Sequence, residues 1–279
     1  LGQRVKVPTA LAGGQFALVS PVVTNDSGAN SLTVAIRSGA TATSVTGVLI
    51  NPDTNITVIG GTWDRGATTD GVGLDGMAIR LRHIDGLRVS GLTCLTTGAV
   101  GGGSGGSYFI TGADLTNYEF SDITFGPRGG SDRDWATSGT GVISDGLHLN
   151  GPLRRGVIRD IFGNCGDDMV AVMAADWPTY GDVGGSIVDL DIENIHSVGA
   201  WQRHVKLLGG PADIVGGSVP ASMLNIHVRG VYGTGGGIWI GDDNRQAGTE
   251  QGTMDNITIE KVSVSVANPV FINATNMGR

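Results

Sequence analysis

The chain has 279 residues, a formal net charge of −8 at pH 7, 48 glycines and only 5% aromatic residues. An acidic chain argues against nucleic-acid binding, no apolar run reaches the roughly 20 residues that a membrane span requires, and the absence of a Gly-X-Y period excludes collagen. The low lysine content and the many Gly, Ser, Thr and Asn residues favour an extracellular protein, either secreted or carried on a virion.

A repeat runs along most of the chain. Each copy has apolar residues two positions apart, then a turn residue and a further apolar residue, and successive copies begin 31 to 38 residues apart. The copies are "NITVIGGTW" at Asn55, "GLRVSGLTC" at Gly86, "NYEFSDITF" at Asn117, "RGVIRDIFG" at Arg155, "DLDIENIHS" at Asp189, "NIHVRGVYG" at Asn225 and "NITIEKVSV" at Asn256. Residues 1–44 repeat poorly. We predict that they cap the N-terminal end of a single domain, residues 1–279, whose regular coils span residues 45–279.

Apolar residues that alternate with polar ones are typical of strands with one buried face. Two or three short strands per repeat, with Gly-rich turns and no helical pattern between them, predict an all-β fold whose coils stack about 4.8 Å apart. The predicted fold is a single-stranded, right-handed parallel β-helix. A β-sandwich is the main alternative, but its hairpins favour Asn-Gly turns, and only Asn150-Gly151 has that form.

Acidic residues precede the apolar alternation in two successive coils. Asp145 lies 23 residues before Asp168, about one coil, and aligning Leu147 with Val170 places Asp145 beside Asp168. With Asp167 adjacent, three carboxylates converge, and their mutual repulsion raises the pKa of at least one of them. A glycosidase needs such a set, because one protonated acid serves the leaving oxygen and one carboxylate serves the water.

These motifs resemble the catalytic core of glycoside hydrolase family 28, the polygalacturonase-like enzymes among the pectin-lyase-like β-helix proteins. "SDG" at Ser144, "GDD" at Gly166 and "VAV" at Val170 are similar to that family's Asn-Thr-Asp-Gly, its Gly-Asp-Asp and the apolar alternation that follows. The "GGTW" and "GLTC" coils are also similar, so the resemblance covers about residues 45–245.

The resemblance implies a polysaccharide-cleaving hydrolase that inverts the anomeric carbon. In that scheme Asp167 is the general acid, and Asp145 and Asp168 together position and activate the water. If the enzyme inverts, the carboxyl groups of Asp145 and Asp167 are expected roughly 6.5–9.5 Å apart, whereas about 5 Å favours retention.

The chain departs from the family at the sugar-binding positions. The family's leading Asn is Ile143, its Gly-His-Gly falls on Gln202, Arg203 and His204, and its Arg-Ile-Lys falls on Trp239, Ile240 and Gly241. The three acids match the family's catalytic acids, but its sugar-binding basic residues have no counterpart at the same positions. Arg203 and Lys206, one coil earlier, could bind the sugar instead. The pattern supports hydrolase chemistry but not pectin as the substrate.

The same alignment predicts an outward-facing column of side chains: Arg80, Phe109, His148, Ala171, Lys206 and Trp239. Rings suit pyranose faces and cations suit sugar carboxylates, so the column predicts a groove for an acidic, capsular or cell-wall polysaccharide, although an ordinary solvated face gives the same pattern. The predicted substrate contacts are Arg80, Phe109, His148, Arg203, His204, Lys206 and Trp239.

No cluster of His, Cys and acidic residues at metal-ligand spacing is visible in the sequence, so neither a metal nor another cofactor is predicted. The segment "GDDN" at 241–244 is predicted to be a turn. Cys94 and Cys165 fall in equivalent parts of coils two steps apart, roughly 10 Å by the strand spacing. A disulfide requires Cα atoms within about 7 Å, so two free, buried thiols are predicted.

Two other functions fit the same fold. A polysaccharide lyase needs an Arg or Lys base and commonly Ca²⁺, and Arg203 and Lys206 beside the acids keep this alternative open. A non-catalytic carbohydrate-binding solenoid, such as the stalk of a phage tailspike, needs none of the acids.

The ends of a β-helix require cover, because their backbone groups and apolar residues lack a next coil. The final repeat is strand-like through Ile272, and the coil resembles the glycan-cleaving part of phage tailspikes. We therefore expect a fragment of a longer protein or one subunit of an oligomer, with a homotrimer as the expected assembly.

Overall fold

A computed structural model describes residues 4–8, 16–18, 24–26, 31–33, 48–50, 52–64, 79–96, 107–127, 144–165, 167–174, 185–198, 203–210, 221–242 and 252–273. All regular elements in these ranges are β-strands, which confirms the predicted all-β class. The described residues form no helix of the length and apolarity that crossing a membrane requires.

The strands, in chain order, are β1 (Arg4–Pro8), β2 (Phe16–Leu18), β3 (Thr24–Asp26), β4 (Ser31–Thr33), β5 (Val48–Ile50), β6 (Asp53–Ile59), β7 (Thr62–Asp64), β8 (Ile79–Ser90), β9 (Thr93–Thr96), β10 (Ser107–Pro127), β11 (Ser144–Gly163), β12 (Val170–Met173), β13 (Ile187–Ser197), β14 (Val205–Gly209), β15 (Met223–Gly233), β16 (Ile238–Asp242), β17 (Met254–Val264) and β18 (Val270–Asn273).

The first five strands form two small antiparallel sheets. β1 pairs with β2 and β5, and β3 pairs with β4. The first strand of the parallel sheet is β6, which pairs with β8. That residues 1–44 cap the coil stays a prediction.

The remaining strands wind into a parallel β-solenoid, as predicted. β11 pairs with β10 on one side and with β12 and β13 on the other, always in parallel. The pairing continues from β12 to β14, β16 and β18, and from β13 to β15 and β17. Each coil therefore supplies hydrogen-bonding partners for the next, and the same position in successive coils forms a column.

Two columns of residues with positive φ bend each coil at matching places. The first column is Asn55, Gly86, Asn117, Arg155, Asp189, Asn225 and Asn256, and the second is Gly60, Gly91, Asp122, Asp160, Asn194, Gly230 and Lys261. Asn, Asp and Gly enter the left-handed region at the lowest cost, which explains why most copies of the repeat begin and turn with these residue types.

Side-chain amides and carboxylates connect the first column from coil to coil. Asn256 Nδ2 donates to Asn225 Oδ1 at 2.9 Å, and Asn225 Nδ2 donates to Asp189 Oδ1 at 2.8 Å. Arg155 Nε donates to Asn117 Oδ1 at 2.7 Å. The bends are thus fixed by backbone conformation and by hydrogen bonds between neighbouring coils.

The interior of the solenoid is a continuous apolar core. The predicted anchors of the repeat are in register from coil to coil: Val58, Val89, Phe120, Ile158, Ile192, Val228 and Ile259. The five inner anchors are fully buried, while Val58 and Ile259 in the end coils are only partly buried. Burying a side chain of this size is worth about 1.5–3 kcal/mol, so the stacked anchors hold the coils together.

Candidate active site

The candidate site lies at the first part of β11 and at the turns that enter β12 and β14. Leu147 aligns with Val170, as predicted. The pairing extends back along the chain, because the N–H of Gly146 donates to the carbonyl of Asp168 at 2.9 Å. Asp145 therefore lies beside Asp168, where the sequence placed it.

Three carboxylates meet at this point. Asp145, Asp167 and Asp168 each offer an oxygen that lies within 4.8 Å of the other two. Asp145 Oδ1 also accepts a hydrogen bond from the backbone N–H of Asp168 at 3.1 Å. The predicted carboxylate cluster is confirmed.

Two cations from the next coil are ion-paired with the cluster. Arg203 Nε lies 2.8 Å from Asp168 Oδ1, and Arg203 Nη2 lies 3.1 Å from Asp167 Oδ1. Lys206 Nζ lies 3.1 Å from Asp168 Oδ2. The register explains the contacts, since the pairing of Val170 with Val205 places Asp168 opposite Arg203.

The environment raises the proton affinity of two of the acids. Burial, and next the charges of Asp145 and Asp167, raise the pKa of Asp168 to about 7, although Lys206 and Arg203 oppose the shift. Burial and then the charge of Asp145 also raise the pKa of Asp167, again against Arg203 and Lys206. The sequence predicted this upward shift for at least one of the three acids.

Among the three acids, Asp167 is the accessible one. Its side chain is 21% exposed, against 3% for Asp145 and 0% for Asp168. Asp167 is therefore the acid of the cluster whose carboxyl group solvent reaches. Asp168 lies beneath Arg203 and Lys206, which are themselves partly exposed.

His148 is buried against Asp145. Its Nδ1 lies 2.6 Å from Asp145 Oδ2, and its ring stacks on the ring of Tyr108 with 3.8 Å between centroids and 13° between planes. The sequence predicted a substrate contact for His148, but its side chain is only 2% exposed. Sequence reasoning missed Tyr108, whose only signal is its register position opposite Asp145.

Trp239 packs on the two cations. The guanidinium carbon of Arg203 lies 4.5 Å from the ring centroid of Trp239, and Lys206 Nζ lies 5.5 Å from it. Phe271 contacts the same ring at 6.2 Å between centroids. A cation over a tryptophan face is stabilised by about 0.5–2 kcal/mol, so Trp239 helps to hold Arg203 and Lys206 over the acids.

The predicted column is in register at all positions except Phe109, although His148 and Ala171 are buried within it. The residues in register are Arg80, Thr111, His148, Ala171, Lys206, Trp239 and Phe271. Phe109 is fully buried in the core, with its ring 6.0 Å from that of Phe125. Three consecutive apolar residues, 108–110, leave the alternation ambiguous there, and Thr111 takes the outward position.

His204 does not join the site. Its side chain is fully buried, and its Nε2 lies 2.9 Å from the carbonyl oxygen of Tyr232. Burial lowers its pKa to about 4, which keeps the imidazole neutral. The prediction of a substrate contact is wrong for this residue, because Arg203 and His204 are neighbours and only Arg203 extends toward the acids.

One oxygen of each acid lies within 4.8 Å of one oxygen of each of the other two. Inversion and retention differ in the distance between whole carboxyl groups, and the separation of roughly 6.5–9.5 Å between the carboxyl groups of Asp145 and Asp167 stays a prediction.

The same three oxygens are close enough together to surround a hard cation such as Ca²⁺. Arg203 and Lys206, however, already lie within 3.1 Å of Asp167 and Asp168. Their positive charges repel a metal ion and already balance two of the three carboxylates.

Cys94 and Cys165 are free and buried, as predicted. Burial raises the pKa of Cys94 to about 12. Burial, and next the charge of Asp145, raise the pKa of Cys165 well above its ordinary value. Both side chains therefore remain protonated thiols.

Ile143, Gln202 and residues 243–244, which the sequence analysis singled out, lie outside the described residues. A comparison of the sequence with known protein families finds no match, and a comparison with curated proteins finds none either. The assignment of a function therefore rests on the fold and on the geometry of the site.

Proposed function

We propose that this protein is a glycoside hydrolase that cleaves a polysaccharide, with Asp167 as the general acid. The observation that carries the proposal is an accessible carboxyl group of raised pKa beside two buried carboxylates on a parallel β-solenoid. The resemblance to glycoside hydrolase family 28 assigns the same role to Asp167.

Asp167 suits proton donation for an electrostatic reason. Burial and the charge of Asp145 favour its protonated form, and a general acid works best when its pKa lies near the operating pH. The proton passes from the Asp167 carboxyl group to the glycosidic oxygen while the bond from that oxygen to the anomeric carbon breaks.

Asp168 is the carboxylate best placed to accept the proton of the attacking water. Burial raises its pKa to about 7, which is suited to accepting a proton near neutral pH. Arg203 and Lys206 cover it, so its oxygens become available when a bound sugar displaces one of these two long side chains. The hydroxyl of the water then adds to the anomeric carbon.

An extended polymer fits the site better than a small molecule. The column that includes Arg80, Lys206 and Trp239, which are exposed or partly exposed, crosses successive coils, and neighbouring coils lie about 4.8 Å apart. Because Arg203 and Lys206 are already paired with acids, an acidic sugar binds them only by replacing Asp167 or Asp168. Both neutral and acidic polysaccharides therefore belong in the first screen.

The test is digestion of a panel of neutral, uronate-containing and capsular polysaccharides, with new reducing ends as the measurement. Replacing Asp167 by Asn should lower the rate by about 10²–10⁴-fold, which is the usual contribution of general acid catalysis. A matched control is Asp191→Asn, because Asp191 is 57% exposed and belongs to the β13 part of the coil. A loss below tenfold for Asp167→Asn would show that Asp167 is not the donor.

The stereochemistry needs its own measurement. Proton NMR of the product in the first minutes of digestion shows whether the new reducing end keeps or inverts the anomeric configuration. Inversion would agree with the family that the motifs resemble, whereas retention would require one carboxylate to act as nucleophile.

A polysaccharide lyase is the second candidate, favoured by the contact of Arg203 and Lys206 with the three acids. A lyase leaves an unsaturated sugar that absorbs in the near ultraviolet, and a chelator would abolish a Ca²⁺-dependent reaction. Such a product would replace the hydrolase proposal. No cleavage of any polysaccharide, with binding retained, would instead identify a non-catalytic tailspike-like solenoid.

A further inference from the structure

Asp145 is held at both of its oxygens. Oδ1 accepts the N–H of Asp168 at 3.1 Å, and Oδ2 lies 2.6 Å from Nδ1 of His148. Its side chain is 3% exposed. These donors are a backbone N–H and a buried ring, which a bound sugar does not displace, whereas the donors to Asp168 are two long, partly exposed side chains. Asp145 is therefore poorly suited to activate a water, which is the role that the resemblance implies for it.

His148 is itself fixed in place. Its ring lies nearly parallel to that of Tyr108, at 3.8 Å between centroids, and its side chain is 2% exposed. Tyr108 is the residue of β10 that pairs with Asp145 in the register of the sheet. The stack and the hydrogen bond together leave the imidazole a single orientation, with Nδ1 directed at Asp145.

The charge of Asp145 acts on the accessible acid. After burial, it is the largest influence that raises the pKa of Asp167. The groups around Asp145 are Tyr108 from β10, Cys165 from the turn after β11, and Asp167 and Asp168 from the turn before β12. Arg203 and Lys206 from the next coil act on Asp167 and Asp168. A displacement of Asp145 therefore alters the proton affinity of Asp167 directly.

We propose that His148 is a positioning residue that, supported by Tyr108, holds the Asp145 carboxylate in place beside Asp167, and that Asp145 is not the base for the water. This inference rests on the proposed hydrolase function. It leaves Asp168 as the base and gives the buried imidazole a role other than contact with the sugar.

Two substitutions separate the parts of this arrangement. His148→Phe keeps a ring to stack on Tyr108 but removes the donor to Asp145. His148→Asn keeps an N–H close to the position of Nδ1 but removes the ring. Without that donor, the Asp145 carboxylate is no longer held beside Asp167, and its charge then favours the protonated form of Asp167 less.

In the active enzyme, His148→Phe should move the alkaline limb of the pH profile of kcat to lower pH by about half a unit or more, with KM changed less than about twofold. His148→Asn should restore much of the original profile. His148→Leu serves in place of His148→Phe should the latter not fold. A rise in KM with no shift of the pH profile would overturn the proposal and indicate a contact with the sugar. An unchanged pH profile with an unchanged kcat would also overturn the proposal.

A second measurement does not require a substrate. Carbon-13 NMR of the aspartate carboxyl groups in the full chain, assigned with Asp145→Asn and Asp167→Asn, follows the titration of Asp167. In His148→Phe its midpoint should fall, whether or not any polysaccharide is cleaved. An unmoved midpoint in an active enzyme overturns the role of His148 and leaves the hydrolase proposal standing, whereas a shift in a protein that cleaves nothing supports the positioning role alone.

Discussion

At the scale of single residues, Asp168 couples folding to pH. It is fully buried, and its pKa of about 7 lies above the roughly 3.9 of an aspartate in an unfolded chain. Between about pH 4 and pH 7 the folded state binds a proton that the unfolded state does not, so the stability contributed by this group falls as pH rises through that window.

Replacing Asp168 by Asn should remove this dependence. The free energy of unfolding of the wild type minus that of Asp168→Asn should decrease from about pH 4.5 to pH 7 and change little above pH 8. Urea denaturation across that range measures the difference. Asp191→Asn is the control, and a wild-type advantage that stays constant with pH would contradict the high proton affinity of Asp168.

His204 makes stability depend on pH in the opposite direction to Asp168. Its pKa is lowered to about 4 by burial, against roughly 6.5 for an exposed histidine, so the stability it contributes is present above pH 6.5 and is lost as pH falls toward 4. His204→Gln keeps an N–H for the Tyr232 carbonyl.

The variant His204→Gln should be less stable than the wild type by about 1–3 kcal/mol at pH 7, because a buried hydrogen bond is perturbed. The deficit should shrink between pH 6.5 and pH 4, since glutamine does not titrate. The same urea series measures it, and a deficit that grows toward pH 4 would show that His204 binds a proton in the folded state.

At the scale of the elements, the bends carry strain where the residue type does not suit them. In the second column of positive φ, Lys261 has a φ of 55°, and the column otherwise contains only Gly, Asn and Asp. A left-handed conformation costs a residue of this type about 1–2 kcal/mol, which glycine avoids.

Lys261→Gly should therefore stabilise the fold by up to about 1 kcal/mol. Thr258→Gly is the matched control, because Thr258 is also exposed on β17 but has no positive φ, so glycine there should destabilise by about 0.5–1 kcal/mol. Thermal unfolding of the two variants measures the expected gain in stability for Lys261→Gly and the expected loss for Thr258→Gly. Destabilisation in both would mean that the lysine side chain contributes more than the bend costs.

The alternation of apolar residues was sufficient to predict the strands and the register of the acids. Leu147 and Leu149 lie on either side of His148, and Val170 and Val172 lie on either side of the small Ala171, so the alternation indicated the alignment of the two strands. Phe109 has apolar neighbours on both sides, and for this reason the pattern could not say which of the three faces outward. The placement of His204 failed for a related reason, since a turn interrupts the alternation just before β14.

The contacts within the site were beyond the sequence pattern for a physical reason. Register alone places Arg203 opposite Asp168, but whether a long cationic side chain extends toward a sugar or folds onto the acids depends on the packing of Trp239 around it. The hydrogen bond from His148 to Asp145 depends in the same way on the stack with Tyr108. Columns can be predicted from the repeat, whereas the directions of long side chains cannot.

At the scale of the whole molecule, the end coils of the described solenoid leave apolar side chains uncovered. Ile59 in the coil of β6 is 70% exposed, and in β18 Phe271 is 50% and Ile272 is 55% exposed. The inward-facing Ile257, Ile259, Val262 and Val264 of β17 are only partly buried, although their equivalents in inner coils are fully buried. Exposed apolar residues that form a continuous surface are typical of an interaction site.

We therefore expect the protein to associate through the end formed by β17 and β18. The resemblance to tailspikes implies a homotrimer. Light scattering after size-exclusion chromatography should give a mass near three times the 28.6 kDa of one chain. Ile272→Asp should shift the mass toward the monomer, because association would bury a charge without a partner. Asp167→Asn, which changes a charge in the groove instead, should leave the mass unchanged. If the wild type has the mass of a monomer across a hundredfold range of concentration, the predicted trimer is wrong. The proposed active site would be unaffected, because all of its described residues belong to one chain.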